Sequence, residues 1–311
     1  MSKQVVCYVQ RKLIADWKRK VITHFERAFV YGSRDRRVFA KLEKGDVLWI
    51  VSPVQGRPPE LVARLEIEGV APLGCGSLPI AESLELKFSA FDYLALGGPA
   101  SVFFGHNNAG PALMQTTFVN PTSRLQWRLS DRSADWKPEY GSRFIRPFEV
   151  ALPESGISHF DLLAQSPPVF LSWKQRDHEP GDILSLAYAL ADQGLMPWLD
   201  LLALPASKSL KVAQKRSQEL TRLLEYGYQH SEALLVVESE HYGEKSDESD
   251  ENWTQREWDG TFSETIPLER FIYLPQTASP CATIPATHPR LSSRTHDQAA
   301  LELRGLLSHS D

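Results

Sequence analysis

Cysteine is scarce in this 311-residue chain: Cys7, Cys75 and Cys281 lie far apart, with no Cys-x-x-Cys pair and no histidine at ligand spacing. An odd, sparse set excludes a disulfide framework and a structural zinc, and it suits a reducing compartment. Long apolar runs are lacking too. The longest candidate, Tyr93 to Gly105, is broken by Gly97-Gly98-Pro99 and falls short of the roughly 18–20 residues that cross a bilayer. Met1-Ser-Lys-Gln leads straight into a strand-like segment without an apolar signal region, so the expectation is a cytoplasmic protein with no membrane partner. Several catalytic signatures are also missing. No Gly-x-Gly-x-x-Gly follows a strand of the second half, which leaves a dehydrogenase-type dinucleotide fold unsupported. There is no Walker lysine loop, no Gly-x-Ser-x-Gly elbow and no His-Glu-x-x-His.

What is present is ordinary globular material. Hydrophobic residues make up 42% and charged residues 23%, which excludes wholesale disorder and fibrous repeats. The length is a prior for two domains. With Lys+Arg 34 against Asp+Glu 39, the net charge of −5 argues against a general polyanion binder. The average hides an asymmetry: residues 1–50 hold twelve Lys/Arg against five Asp/Glu, an excess of seven positive charges.

The first half reads as strands. Val5 to Val9 is a β-branched and aromatic run, and Asp46 to Ser52 follows a Lys44-Gly45 turn as a continuous apolar strand. From Leu61 to Val70 the pattern alternates, with Leu61, Ala63, Leu65 and Ile67 on one face and Arg64, Glu66 and Glu68 on the other. Leu84–Phe88 and Ser101–Phe104 add two more. Short strands with turn signals between them predict a small barrel or a strongly bent sheet.

From about residue 150 the pattern changes. Val169–Trp173 is a compact apolar strand, and Asp182 opens a helix that Gly194 closes. Leu195–Leu199, Glu232–Glu238 and Arg270–Leu274 are further strands. Helical patterns run over Ser209–Gln229 and Asn252–Trp258, and a last one starts at Asp297. Strands alternating with helices mean βαβ units and a parallel sheet. The reading is α+β then α/β, with a β-rich domain over 1–155 and an α/β domain over 156–311. The run from Glu244 to Glu251 is an acidic, solvated loop.

In an open parallel sheet, ligands bind beyond the carboxyl ends of the strands. That edge carries Ser172 to Asp177, Asp200 to Ser209 and Ser239 to Glu257. Trp253 and Glu257 are four apart, so a helix stacks them on one face; a Trp covering the helix stem beside a solvated Glu is the simpler alternative. The order of motifs is more telling. Val169-Phe-Leu-Ser-Trp-Lys-Gln-Arg-Asp177, then Gly194-Leu-Met-Pro-Trp-Leu-Asp200, then Leu234 to Ser239-Glu-His-Tyr242, then Trp253-Thr-Gln-Arg-Glu257 resembles the Toll/interleukin-1 receptor (TIR) domain. The match covers residues 167–275, about a third of the chain. It implies a flavodoxin-like domain with its parallel sheet flanked by helices.

The resemblance also implies chemistry. NAD-cleaving members use the glutamate of W-x-x-x-E, which makes Glu257 the catalytic carboxylate and Trp253 its partner. Ser172 and Trp173 would lie at the ligand edge, Trp173 stacking a ring unless it is core. Arg176 would meet phosphates or pair with an acidic neighbour, and Asp200 would cap its loop. Ser239 and Tyr242 would line the approach, unless Tyr242 is core, as a tyrosine there more often is. NAD⁺ is then a substrate, with no cofactor and no metal. Leu204-Pro205 resembles the loop through which such domains self-associate. The stretch between Tyr242 and Trp253 is longer and more acidic than is common in the family, which leaves Glu251 as a rival carboxylate.

The first half is similar to PUA- and EVE-like barrels, on Lys44-Gly-Asp-Val-Leu-Trp-Ile-Val-Ser52 and the alternating strand after it. That likeness implies nucleic acid or a modified base as partner, with Arg34, Arg36 and Arg37 on phosphates and Trp49 stacking a base, although an indole inside an apolar strand more often belongs to the core; the alternative is a domain for oligomer contacts. The whole reads as a sensor joined to an NAD⁺-consuming effector of the bacterial antiviral defence kind, activated by oligomerisation. The alternatives are a non-enzymatic TIR scaffold and a nucleoside deoxyribosyltransferase-like enzyme, which also sets a glutamate on ribose.

Overall fold

The computed structural model describes residues 2–10, 13–14, 17, 29–54, 56–73, 91–129, 146–174, 177–199, 212–244, 253–260, 268–282, 284–285, 287–288 and 290–308, with backbone alone at 212–219 and 253. The chain divides into one unit of Met1–Phe104 with Asn108–Gln165 and a second of Gly105–Asn107 with Ser166–Asp311.

The first unit runs β1 (Gln4–Tyr8), β2 (Phe29–Ser33), α1 (Arg36–Phe39), β3 (Val47–Val54), β4 (Arg57–Pro72), β5 (Tyr93–Gly97) and β6 (Val102–Phe103). There follow α2 (Gly110–Gln115), β7 (Phe118–Val119), β8 (Gln126–Trp127), β9 (Phe148–Val150) and α3 (His159–Ala164). The turn before β3 depends on two residue types. Gly45 takes φ +89°, and buried Asp46 accepts the N–H groups of Lys3 (2.7 Å) and Glu43 (2.9 Å).

β4 alternates as its sequence predicts, with Leu61, Ala63, Leu65 and Ile67 buried beneath wetter Arg64, Glu66 and Glu68. Its sixteen residues pair with β3 in their first part and β5 in their last, with a register shift between Ile67 and Gly69. A strand that changes partner at an irregularity bends its sheet. The order is β2-β5-β4-β3-β1-β9-β7-β8, with β6 beside β4, and β1–β3 is a parallel pair. Among the described residues no ladder joins β2 to β8. Leu84–Phe88 lies outside the described residues.

The first unit runs on to Gln165, and α3 packs into its sheet. Phe160 stacks on Trp49 (5.8 Å, 21°) and Asp161 accepts the Gln4 side-chain amide at 2.9 Å. Ser158 and Asp161 form the capping box that starts this helix.

The second unit runs β10 (Pro168–Ser172), α4 (Pro180–Asp192), β11 (Met196–Trp198), α5 (Val212–Gln229), β12 (Ala233–Val237), α6 (Trp253–Asp259), β13 (Glu269–Tyr273) and α7 (His296–Leu307). All four strands are parallel, in the order β11-β10-β12-β13. A parallel bridge from Ile272 to Arg290 extends the far edge. Helix α4 starts two residues earlier than expected, since Pro180 suits the first turn and Asp182 then falls within it. Gly194, at φ +75°, ends it: Gly194 N–H reaches Ala191 O and Leu195 N–H reaches Leu190 O, a Schellman pair.

The pleat sorts each strand. Val169, Leu171 and Trp173 of the first strand and its extension, with Leu235 and Val237 of β12, join the core under α4 and α7. Phe170 instead meets Tyr228 of α5 (ring centroids 5.6 Å apart) on the opposite face. Gly227 of α5 lets the Trp198 ring in, since a Cβ there would stand 1.9 Å from the indole nitrogen. With β10 central and its successors on opposite sides, strand order reverses between β10 and β12. The crevice beyond their carboxyl ends is where such sheets bind ligands.

Candidate active site at the carboxyl edge

Ser172 ends β10 on the face opposite α4, where the alternation of an apolar strand meets a hydroxyl. It is fully buried. Its hydroxyl donates to Oε2 of Glu257, one helical turn into α6. The Tyr242 hydroxyl lies 2.5 Å from Ser172 Oγ. The one Ser172 proton is committed to Glu257, so in the pair with Ser172 the Tyr242 hydroxyl is the donor. This short relay joins the ends of β10 and β12 to α6.

Two contacts hold α6 at this edge. Gly243 N–H donates to Thr254 Oγ1 at 3.1 Å, and the Tyr242 hydroxyl lies 3.5 Å from Thr254 O. Glu257 is 5% exposed, and Thr254 is buried as well. Burial, with the Glu257 carboxylate nearby, pushes the Tyr242 hydroxyl well above its ordinary range, so it stays a donor at neutral pH.

Beside the relay stands a second carboxylate. Asp177 accepts the Ser239 hydroxyl (2.6 Å), His241 N–H (3.0 Å) and His241 Nδ1–H (2.8 Å). Burial pushes Asp177 up, but these hydrogen bonds outweigh it and hold it below the usual carboxylate range. A third, Glu238, is wholly buried at the end of β12. It takes both arms of Arg290 at 2.8 Å and the Cys281 N–H at 3.0 Å. Cys281 Sγ in turn donates to Tyr242 O at 2.8 Å, which ties the tail to the relay.

The predicted site residues divide into three groups. Glu257, Ser172 and Tyr242 are brought together. Ser239 is nearby, yet its hydroxyl is committed to Asp177 and it is 1% exposed, so it braces the loop rather than lining an approach. Trp173 is a correction: one residue beyond Ser172, the pleat sends it into the α4 and α7 core, away from the relay. Arg176, Asp200, Leu204-Pro205 and Glu251 lie outside the described residues, as does the Trp253 side chain.

In the first unit, Trp49 is also corrected. It is 0% exposed, donates Nε1–H to Gln4 Oε1 at 2.8 Å and stacks on Phe160, so no base reaches it. Arg34, Arg36 and Arg37 are exposed. Glu238, His241, Cys281 and Arg290 were missed. A charge directly after five apolar residues signals a buried ion in Glu238; nothing in the sequence signals its partner.

No family model matches the chain. No curated protein matches it either. Among the described residues, no three His, Cys, Asp or Glu side chains could hold a metal ion, and no helix is long and apolar enough to cross a membrane. The site's chemistry therefore has to be argued from the carboxylate and the hydroxyls around it.

Proposed function

We propose that the second unit is a TIR-type domain that cleaves the nicotinamide–ribose bond of NAD⁺, with Glu257 as the catalytic carboxylate. The observation that carries this reading is the burial of Glu257 at the strand-order reversal, where the Ser172 hydroxyl orients it. The order β11-β10-β12-β13 supports it, being the flavodoxin-like 2-1-3-4 order, with the Arg290 bridge in the fifth place.

The reaction suits such a group. Nicotinamide leaves as a neutral molecule from a cationic ring, so departure needs no general acid. Positive charge develops on the ribose as an oxocarbenium-like centre, as in O-glycoside cleavage. A carboxylate fixed beforehand beside that sugar stabilises the transition state without reorganising. Ser172 and Tyr242 set its orientation, and water or a nucleophile on the same ADP-ribose traps the cation. We further propose that oligomerisation through the TIR domains activates this effector, in the manner of an antiviral defence protein.

A second reading, a non-enzymatic scaffold acting by self-association, is favoured by the depth of Glu257 and its bond to Ser172, since both also suit a structural latch. Incubating concentrated full-length protein with NAD⁺ and following free nicotinamide separates the two. Release that vanishes in folded Glu257→Gln supports the enzyme; a silent wild-type sample at assembling concentrations supports the scaffold. Release of base from free nucleosides but not from NAD⁺ would point instead to the deoxyribosyltransferase type.

A further inference from the structure

Around α1 the first unit gathers arginines and aromatic rings that lie far apart in sequence. A cavity of ≈ 560 Å³ is lined by Arg34, Arg36, Arg37 and Arg146, with Tyr8, Tyr31 and Phe91 among the other walls. Arg34, Arg36 and Arg37 are the basic run already noted in the sequence; Tyr31 lies just before it, and Tyr8, Phe91 and Arg146 join it from three other segments. A second cavity of ≈ 470 Å³ shares Arg37 and adds Lys3, Lys41 and Arg124.

The charge balance of these walls is one-sided. Asp35 caps α1, accepting Arg37 N–H at 3.0 Å, and pairs with the Arg37 guanidinium at 3.1 Å. Glu149 is taken by Arg124 through both oxygens. The ammonium groups of Lys3 and Lys41 reach backbone carbonyls, of Lys41 (2.6 Å) and Pro121 (3.4 Å), which leave their charge in place. Among the described residues, neither Arg36 nor Arg146 has a carboxylate at ion-pair distance, and Glu43 is the one acidic lining residue outside an ion pair. This surplus stands on a chain whose net charge is −5.

We propose that this double cavity binds a nucleotide unit: an aromatic base among Tyr8, Tyr31 and Phe91, and phosphates on both sides of Arg37. Guanidinium forks match phosphate oxygens, and aromatic rings stack on any base. Each cavity lies within the roughly 300–1,000 Å³ of small-ligand sites, and their shared arginine continues the phosphate track. Rings and cations together select a nucleotide over a bare polyphosphate or a carboxylate. A free nucleotide and a nucleotide within a strand share this chemistry. The site stands independently of the reading given to Glu257.

The test titrates full-length protein with three probes at low salt: ATP, inorganic tripolyphosphate and a fluorescein-labelled twelve-residue oligothymidylate. Arg36→Glu with Arg146→Glu should weaken ATP and oligonucleotide binding by about tenfold or more. Arg304→Glu, on α7 of the second unit, should leave it unchanged. Phe91→Leu should weaken both base-containing probes and spare tripolyphosphate. Tighter oligonucleotide than ATP assigns the unit to a strand; the reverse assigns a free nucleotide. The proposal is overturned if neither base-containing probe binds, if the double variant binds as wild type, or if tripolyphosphate matches ATP and Phe91→Leu changes nothing. Melting curves identify any variant that fails to fold, for which Arg36→Gln with Arg146→Gln is the gentler replacement.

Discussion

Two deeply buried glutamates stand at the same edge of the parallel sheet, and their surroundings differ in kind. Glu238, at the end of β12, is gripped by the planar fork of Arg290 and by a backbone N–H. Glu257, one turn into α6, accepts the hydroxyl of Ser172, itself backed by Tyr242. A fork fixes both oxygens and fastens the Pro-rich tail to the sheet. A hydroxyl orients one oxygen and turns aside by rotation about one bond. The first arrangement suits a clamp; under the function proposed above, the second suits a carboxylate that meets a substrate.

The largest expected effect breaks the comparison on the Glu257 side. Glu257→Gln should lower nicotinamide release by about 100-fold or more, the scale seen when one preorganised charge-stabilising group is removed. Thermal stability should change by no more than about 1 kcal/mol, because glutamine still accepts from Ser172. Chromatographic nicotinamide assays beside melting curves measure both. A large loss of stability with normal release would turn Glu257 into a second clamp.

The opposite pattern is expected at Glu238. Arg290→Met strands a wholly buried carboxylate, and breaking such a pair costs about 3 kcal/mol. Urea unfolding should reveal that loss, while any release measured well below the midpoint stays close to wild type. If release collapses before unfolding begins, the clamp and the site are one device, coupled through Cys281 and the Tyr242 carbonyl.

How much of this was legible depends on how local each cause is. The four parallel strands of the second unit read off as short apolar runs because both faces of each are covered. Glu257 and Ser172 were reached through the order of motifs that resembles the TIR domain, since the four-residue spacing from Trp253 equally suits a Trp beside a solvated Glu. Trp173 was left open between a stacking and a core role because a one-residue step along a strand reverses the face, and spacing alone does not say which face carries chemistry. Trp49 takes the core role its apolar strand favours, and only its partner was hidden: the phenylalanine it stacks on lies in a helix over a hundred residues later. The Glu238–Arg290 pair spans 52 positions and joins a strand to a Pro-rich tail, so no pattern marks it. The first sheet was expected as a barrel or a bent sheet. Its parallel β1–β3 pair and the switch of β4 between partners are non-local choices that alternation cannot encode.

A smaller effect sharpens the contrast by dissecting the relay. Tyr242→Phe removes the donor behind Ser172 and should cost about 1 kcal/mol, with Ser172→Ala near the same figure. Their effects on release should differ. Ser172→Ala removes a hydroxyl that orients the carboxylate and should lower the rate by about tenfold, whereas Tyr242→Phe leaves the Ser172 bond to Glu257 intact. Equal rate losses would mean that the relay acts through packing alone.

The smallest expected effect concerns Asp177, which belongs to neither glutamate's region but braces the loop between them. Its carboxyl titrates below the ordinary range because Ser239 and His241 bond to the charged form more strongly than burial penalises it. A group protonated more readily in the unfolded chain stabilises the fold above its unfolded value, about pH 3.9. That contribution is lost as pH falls through the lower native value. Asp177→Asn should therefore destabilise the protein by about 1 kcal/mol between pH 5 and 7, the scale of one net hydrogen bond, since the amide oxygen still accepts. The gap to wild type should close as both are taken below pH 4. Denaturant midpoints across that range measure it. A gap that widened in acid would mean that Asp177 is protonated in the native loop, and that His241 is held there by something other than its charge.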